Sequence, residues 1–121
     1  MKILVADDDA VSRRLLETTL ERAGFDVVVA ADGTTAASIL TAEEGPRLAL
    51  LDWMMPGMDG EAVRAELRAD PRTASIPVVV VTASPQLGGH APADGTTLVK
   101  PFDADELLHV VGEHHGRSWP P

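Results

Sequence analysis

The sequence contains no cysteine and no tyrosine, and only two tryptophans and two phenylalanines. Without cysteine there is no disulfide, no thiolate metal site and no cysteine nucleophile. With aromatics at 3%, a core must be built from Val, Leu, Ile, Ala and Met, and a hydrophobic content of 45% over 121 residues suffices for one domain. Basic residues are scarce as well: ten Lys and Arg stand against nineteen Asp and Glu, giving a net charge of −9. Nucleic acid and anionic membranes are poor direct partners for such a chain; cations and basic protein patches are better ones. No apolar run approaches the roughly 20 residues of a membrane span. Asp7 cuts the N-terminal apolar stretch Ile3–Ala6 short of a signal peptide. The expectation is a soluble, cytoplasmic protein that does not engage a membrane. There is no internal repeat and no low-complexity segment.

What is present is organised around Leu48-Ala49-Leu50-Leu51-Asp52. Four apolar residues running into one carboxylate read as a strand buried on both faces, and Pro56, Gly57 and Gly60 force a turn soon after it. Similar strands are expected at Ile3–Ala6, Val27–Ala31, Val78–Thr82 and Thr97–Val99. Helices are expected between them: one capped by Asp9 and ended by Gly24, one over Thr34–Glu44, one over Gly60–Ala69 capped by Asp59, and a last one after Asp103 that ends near His114 and His115. Glu106 stands three residues after Asp103, as in a capping box. In the first helix Val11, Leu15, Leu16, Leu20 and Ala23 form the apolar side, while Arg13, Arg14, Glu17, Glu21 and Arg22 form the solvent side. This alternation predicts an α/β fold, a five-stranded parallel sheet wound on both faces by helices. Between Thr82 and Thr97, two prolines and three glycines predict a crossover whose helix is shortened or replaced by a loop. The domain is expected to run over residues 1–116, with 117–121 a tail or truncated linker.

In a parallel sheet all carboxyl ends share one edge, so Asp7, Asp8, Asp52, Thr82 and Lys100 should converge on one rim. Three carboxylates there repel one another, and a hard divalent cation relieves the repulsion. All-oxygen ligands suit Mg²⁺, with Mn²⁺ admissible. A carboxylate beside such a cation can act as a nucleophile toward phosphorus, and an ammonium and a hydroxyl can neutralise the phosphoryl oxygens in transfer. His90, His109, His114 and His115 show no ligand spacing. Met54, Met55 and Met58 read as turn packing, and Trp53 as a partly exposed contact residue.

The ordered set Val5–Asp9 (VADDD), Leu50–Gly60 (LLDWMMPGMDG), Val78–Ala83 (VVVVTA) and Val99–Asp103 (VKPFD) resembles the receiver domain of two-component response regulators. The resemblance covers the chain from Lys2 to about His115. It implies the flavodoxin-like strand order 2-1-3-4-5. It further implies that Asp52 accepts a phosphoryl group from a phosphohistidine, that Asp7, Asp8, Asp52 and the backbone carbonyl of Met54 hold Mg²⁺, and that Thr82 and Lys100 contact the phosphoryl group. The partners implied are a sensor histidine kinase or histidine phosphotransfer protein and a downstream protein, with no direct nucleic acid. The chain would be a switch that promotes only its own phosphorylation and dephosphorylation. Lys100-Pro101 resembles a position where the family has a cis peptide.

The sequence departs from the family at Thr97, where an aromatic residue is usual, and in the Gly/Pro-rich stretch Ser84–Gly95. The resemblance also implies that Met54 and Ser84 stand at positions that tune aspartyl-phosphate hydrolysis in the family. The competing reading is a phosphorylation-independent interaction module on the same scaffold. A phosphohydrolase with an Asp nucleophile is disfavoured because Met54 occupies the place of its second Asp. A dinucleotide binder is disfavoured because no Gly-rich loop follows the first strand.

Overall fold

A computed structural model describes residues 2–42, 45–53, 55, 57–82, 96–100 and 102–115, with backbone alone at 96–97 and 113–115. The elements are β1 (Lys2–Ala6), α1 (Ala10–Arg22), β2 (Asp26–Ala30), α2 (Gly33–Leu40), β3 (Leu48–Asp52), α3 (Gly60–Ala69), β4 (Val78–Thr82), β5 (Thr96–Val99) and α4 (Ala104–His115). The strands form one parallel sheet in the order β2-β1-β3-β4-β5. The expected shortened crossover between β4 and β5, Pro101 and the 117–121 tail lie outside the described residues. No helix among the described residues is long and apolar enough to cross a membrane.

β-branched and aliphatic runs form the strands, and alternate side chains feed opposite faces. Leu4, Ala6, Ala49, Leu51, Val78 and Val80 pack with α2 and α3 through Ala36, Leu40, Val63 and Leu67. Ile3, Val5, Leu48, Leu50, Val79 and Val81 pack on the other face with Leu16 and Leu20 of α1 and Leu107 and Val111 of α4. Every residue of β3 and β4 is buried, as expected for central strands covered on both faces.

The helix starts follow the sequence closely because each uses an Asp cap. Asp9 accepts from the Val11 N–H, Asp32 from Thr35, Asp59 from Ala62 and Asp103 from Glu106, at 2.7–3.2 Å. The Thr35 bond holds the Asp32 carboxyl below its ordinary pKa, and the Ser12 hydroxyl followed by the Val11 N–H does the same for Asp9.

Several expectations are corrected. α2 ends at Leu40 rather than Glu44, because the Thr41 hydroxyl turns back onto the Ala37 carbonyl at 2.8 Å and tight turns follow from Ile39 and Ala42. β2 ends at Ala30 rather than Ala31, since the chain must bend to present the Asp32 cap. In α1 only part of the apolar side is inside: Leu16 and Leu20 are buried, whereas Val11 and Leu15 are 77% and 53% exposed. They lie beside Val29 of β2, and among the described residues no further strand follows β2 to cover them. Trp53 is not a surface contact residue: it is 5% exposed and belongs to the α2/α3 core.

Trp53 is held there by a close approach. The Gly60 N–H donates to the Trp53 carbonyl at 3.1 Å, and a Cβ on Gly60 would lie 2.7 Å from the indole Cε3 and 3.0 Å from the Asp52 carbonyl oxygen. A Cβ on Gly33, at the start of α2, would overlap the backbone of Met58. Trp53 and Met58 are therefore seated tightly against the starts of α3 and α2. Alanine at a helix start is ordinarily harmless, but here the overlap dominates. Gly60→Ala is expected to lower unfolding stability by about 1–3 kcal/mol and to shift Trp fluorescence; denaturant titration with emission spectra checks this.

Candidate metal centre

The sheet register assembles the site. Ala6 lies opposite Leu51, so Asp7 leaves β1 level with Asp52 on β3. Asp52 lies opposite Val81, and Thr82 opposite Val99, so Thr82 and Lys100 continue the same rim. Bonds one residue past the strand ends hold this edge in place: Asp7 N–H to the Ala30 carbonyl, Trp53 N–H to Val81 and Lys100 N–H to Thr82, at 3.1, 3.1 and 2.8 Å.

Carboxylate oxygens of Asp7, Asp8 and Asp52 lie within 4.8 Å of one another, and this is the group found among the described residues that could hold a metal ion. The three differ in environment. Asp7 is fully buried, and both its oxygens are engaged: Oδ1 accepts the Asp9 N–H and Oδ2 the Lys100 ammonium, each at 2.9 Å. Asp52 is 8% exposed and lies 3.5 Å from the same ammonium. Asp8 is exposed. An all-oxygen set with an exposed carboxylate beside a buried one fits a hard cation such as Mg²⁺, which retains several waters.

Lys100 is the cation that stabilises this cluster. Burial is the largest single influence on its ammonium and pushes its pKa down. The Asp7 hydrogen bond and the charges of Asp52 and Asp7 together outweigh burial, so the net shift is upward. The ammonium is charged at neutral pH.

Asp7, Asp8, Asp52 and Lys100 are thus brought together. Thr82 is buried at the end of β4 on the same rim. Met54, whose carbonyl was expected as a ligand, and Ser84 lie outside the described residues, as does the Thr97 side chain. Sequence reasoning missed Arg13, which it placed on the solvent side of α1. The Arg13 Nη1 donates to the Asp7 carbonyl oxygen at 2.9 Å. A bond to a backbone carbonyl leaves no charged partner in the sequence to betray it.

With this geometry in hand, comparison with known proteins is decisive about family. The family model described as the response regulator receiver domain matches residues 3–112. The chain is 44% identical over 110 residues to a "Probable transcriptional regulator ycf27" of Porphyridium aerugineum, covering 88% of this chain and 44% of that protein. It is 42% identical over 115 residues to the "DNA-binding dual master transcriptional regulator RpaA" of Synechocystis, covering 91% and 47%. The receiver domain of sensor histidine kinase PA1611 from Pseudomonas aeruginosa superimposes with a TM-score of 0.84 at 27% identity, covering 95% and 97% of the two chains; that structure has a magnesium ion coordinated in its active-site cleft. The chain belongs to the response regulator receiver domain family, the signalling switches of two-component systems. It spans about half the length of those two regulators, and DNA binding is named for the relative.

Replacing Lys100 by Met leaves the buried Asp7 carboxylate without its ammonium, and a loss of about 1–3 kcal/mol is expected at neutral pH. The Lys100 pKa is raised on folding, so its contribution is fully present below the unfolded-state value and is lost as pH rises through the folded value, above the ordinary 10.5. The stability gap between wild type and Lys100→Met should therefore hold through neutral pH and close only in strong alkali; urea melts across pH measure it.

Proposed function

We propose that Asp52 accepts a phosphoryl group from a phosphohistidine on a sensor histidine kinase or histidine phosphotransfer protein, and that the modified domain changes its binding to a downstream protein. One observation carries the reading: a nearly buried carboxylate at a strand end lies within 4.8 Å of two others and 3.5 Å from an ammonium. In the transfer an Asp52 oxygen bonds to phosphorus as the bond from phosphorus to the donor imidazole nitrogen breaks, and the imidazole leaves with the electron pair. The Lys100 ammonium meets one phosphoryl oxygen and the Thr82 hydroxyl another. Mg²⁺, or Mn²⁺ in its place, supplies neutralisation of phosphoryl charge when bound; Asp7, Asp8, Asp52 and the Met54 carbonyl would hold it.

In loss of the group a water oxygen bonds to phosphorus as the bond from phosphorus to the Asp52 oxygen breaks; the carboxylate and inorganic phosphate are released, and the water's proton passes to phosphate or solvent. The domain thus promotes only its own phosphorylation and dephosphorylation. We read the unit as residues 1–116, acting in the cytoplasm through protein contacts. With threonine at position 97, its output does not run through an aromatic side chain there.

Incubation with Mg²⁺ and a small acyl-phosphate donor should add the mass of one phosphoryl group, and Asp52→Ala should abolish the gain. An unmodified wild type with every donor, phosphohistidine protein included, would leave a phosphorylation-independent interaction module instead.

A further inference from the structure

We propose that Arg13 is a positioning residue for the metal site, acting through the peptide group that joins Asp7 to Asp8. The inference rests on the phosphoryl-acceptor reading but concerns a residue outside its charged set. The Asp7 backbone is held at both ends: its N–H donates to Ala30 at 3.1 Å and its carbonyl accepts from Arg13 at 2.9 Å. Its side chain is held at both oxygens, by the Asp9 N–H and by Lys100. Asp7 therefore has little freedom left.

Asp8 is different. It is exposed, and no hydrogen bond to its carboxylate is seen among the described residues. Its direction must then come from its backbone. A peptide is planar, so fixing the Asp7 carbonyl oxygen fixes the plane that carries the Asp8 nitrogen and Cα. The guanidinium that does this sits on α1, whose start is independently fixed by the Asp9 cap and by the Arg13 N–H bonded to the Asp9 carbonyl at 2.9 Å. One rigid helix thus sets the angle at which Asp8 faces Asp52. The guanidinium also brings positive charge to a corner with three consecutive carboxylates. Arg14, the next residue, makes no such contact among the described residues, and the Arg13 bond is partly buried rather than solvated.

The test compares wild type, Arg13→Ala, Arg13→Gln and Arg13→Lys as intact chains. Mg²⁺ affinity is measured by calorimetric titration, and thermal stability is measured without metal. Arg13→Ala should weaken Mg²⁺ binding by about tenfold, the lower range for loss of an outer-shell partner. Arg13→Lys, which keeps a charged donor, should recover part of the loss and Arg13→Gln less. If Arg13→Ala fails to fold, Arg13→Gln and Arg13→Lys decide the matter in the same titration. An affinity within twofold of wild type in the folded variants, with only the melting temperature lowered, would show a merely structural staple and overturn the proposal. Wild-type labelling by the acyl-phosphate donor is run alongside: its failure would sink the phosphoryl-acceptor reading, whereas an unchanged Mg²⁺ affinity with normal labelling would sink the role of Arg13 alone.

Discussion

Like charges within 4.8 Å of one another raise the free energy of a folded chain, and the ammonium of Lys100 offsets that cost here by reaching Asp7 at 2.9 Å and Asp52 at 3.5 Å. The arrangement depends on the parallel register, which puts Asp7 level with Asp52 across β1 and β3 and brings Lys100 up from the end of β5. The chain has only two lysines, and Lys100 is the one the fold delivers to the acidic rim. A carboxylate cluster held together by one counter-charge remains short of positive charge, the condition that favours a hard divalent cation.

The rest of the fold keeps this rim rigid. β3 and β4 are buried along their whole length between two aliphatic cores. Beyond Asp52, Gly60 packs closely against Trp53 and Gly33 against Met58, positions where a methyl group has no room. Aliphatic packing of β3 and the Lys100 ammonium together hold the Asp52 carboxylate near its neighbours, as hydrogen bonds hold Asp7. The two kinds of restraint meet at one edge of the sheet.

Much of this was legible in the sequence, for identifiable reasons. β3 and β4 announce themselves because a strand covered on both faces needs an unbroken apolar run, and Asp52 and Thr82 stand where those runs stop. The caps at Asp9, Asp59 and Asp103 are legible because a short acceptor before a helix has one local use. Less legible were features set by neighbours distant in sequence. A helical wheel counts Val11 and Leu15 with Leu16 and Leu20, but cannot tell that β2 is the last strand on that side among the described residues and that the first pair is exposed there. Trp53 looked like a surface residue because the glycine that admits it, Gly60, comes seven positions later and acts through space. Arg13 read as a solvent-facing charge because its partner is a carbonyl oxygen, which every residue carries.

The central claim is that carboxylates from two strand ends form one cation site. Diffraction from crystals grown with Mn²⁺, using the anomalous signal of the metal, tests it most directly. The account predicts a single strong peak between the β1–α1 corner and the end of β3, about 2.1 Å from oxygens of Asp8 and Asp52. A peak elsewhere on the acidic surface, or no ordered ion at millimolar Mn²⁺, would contradict it.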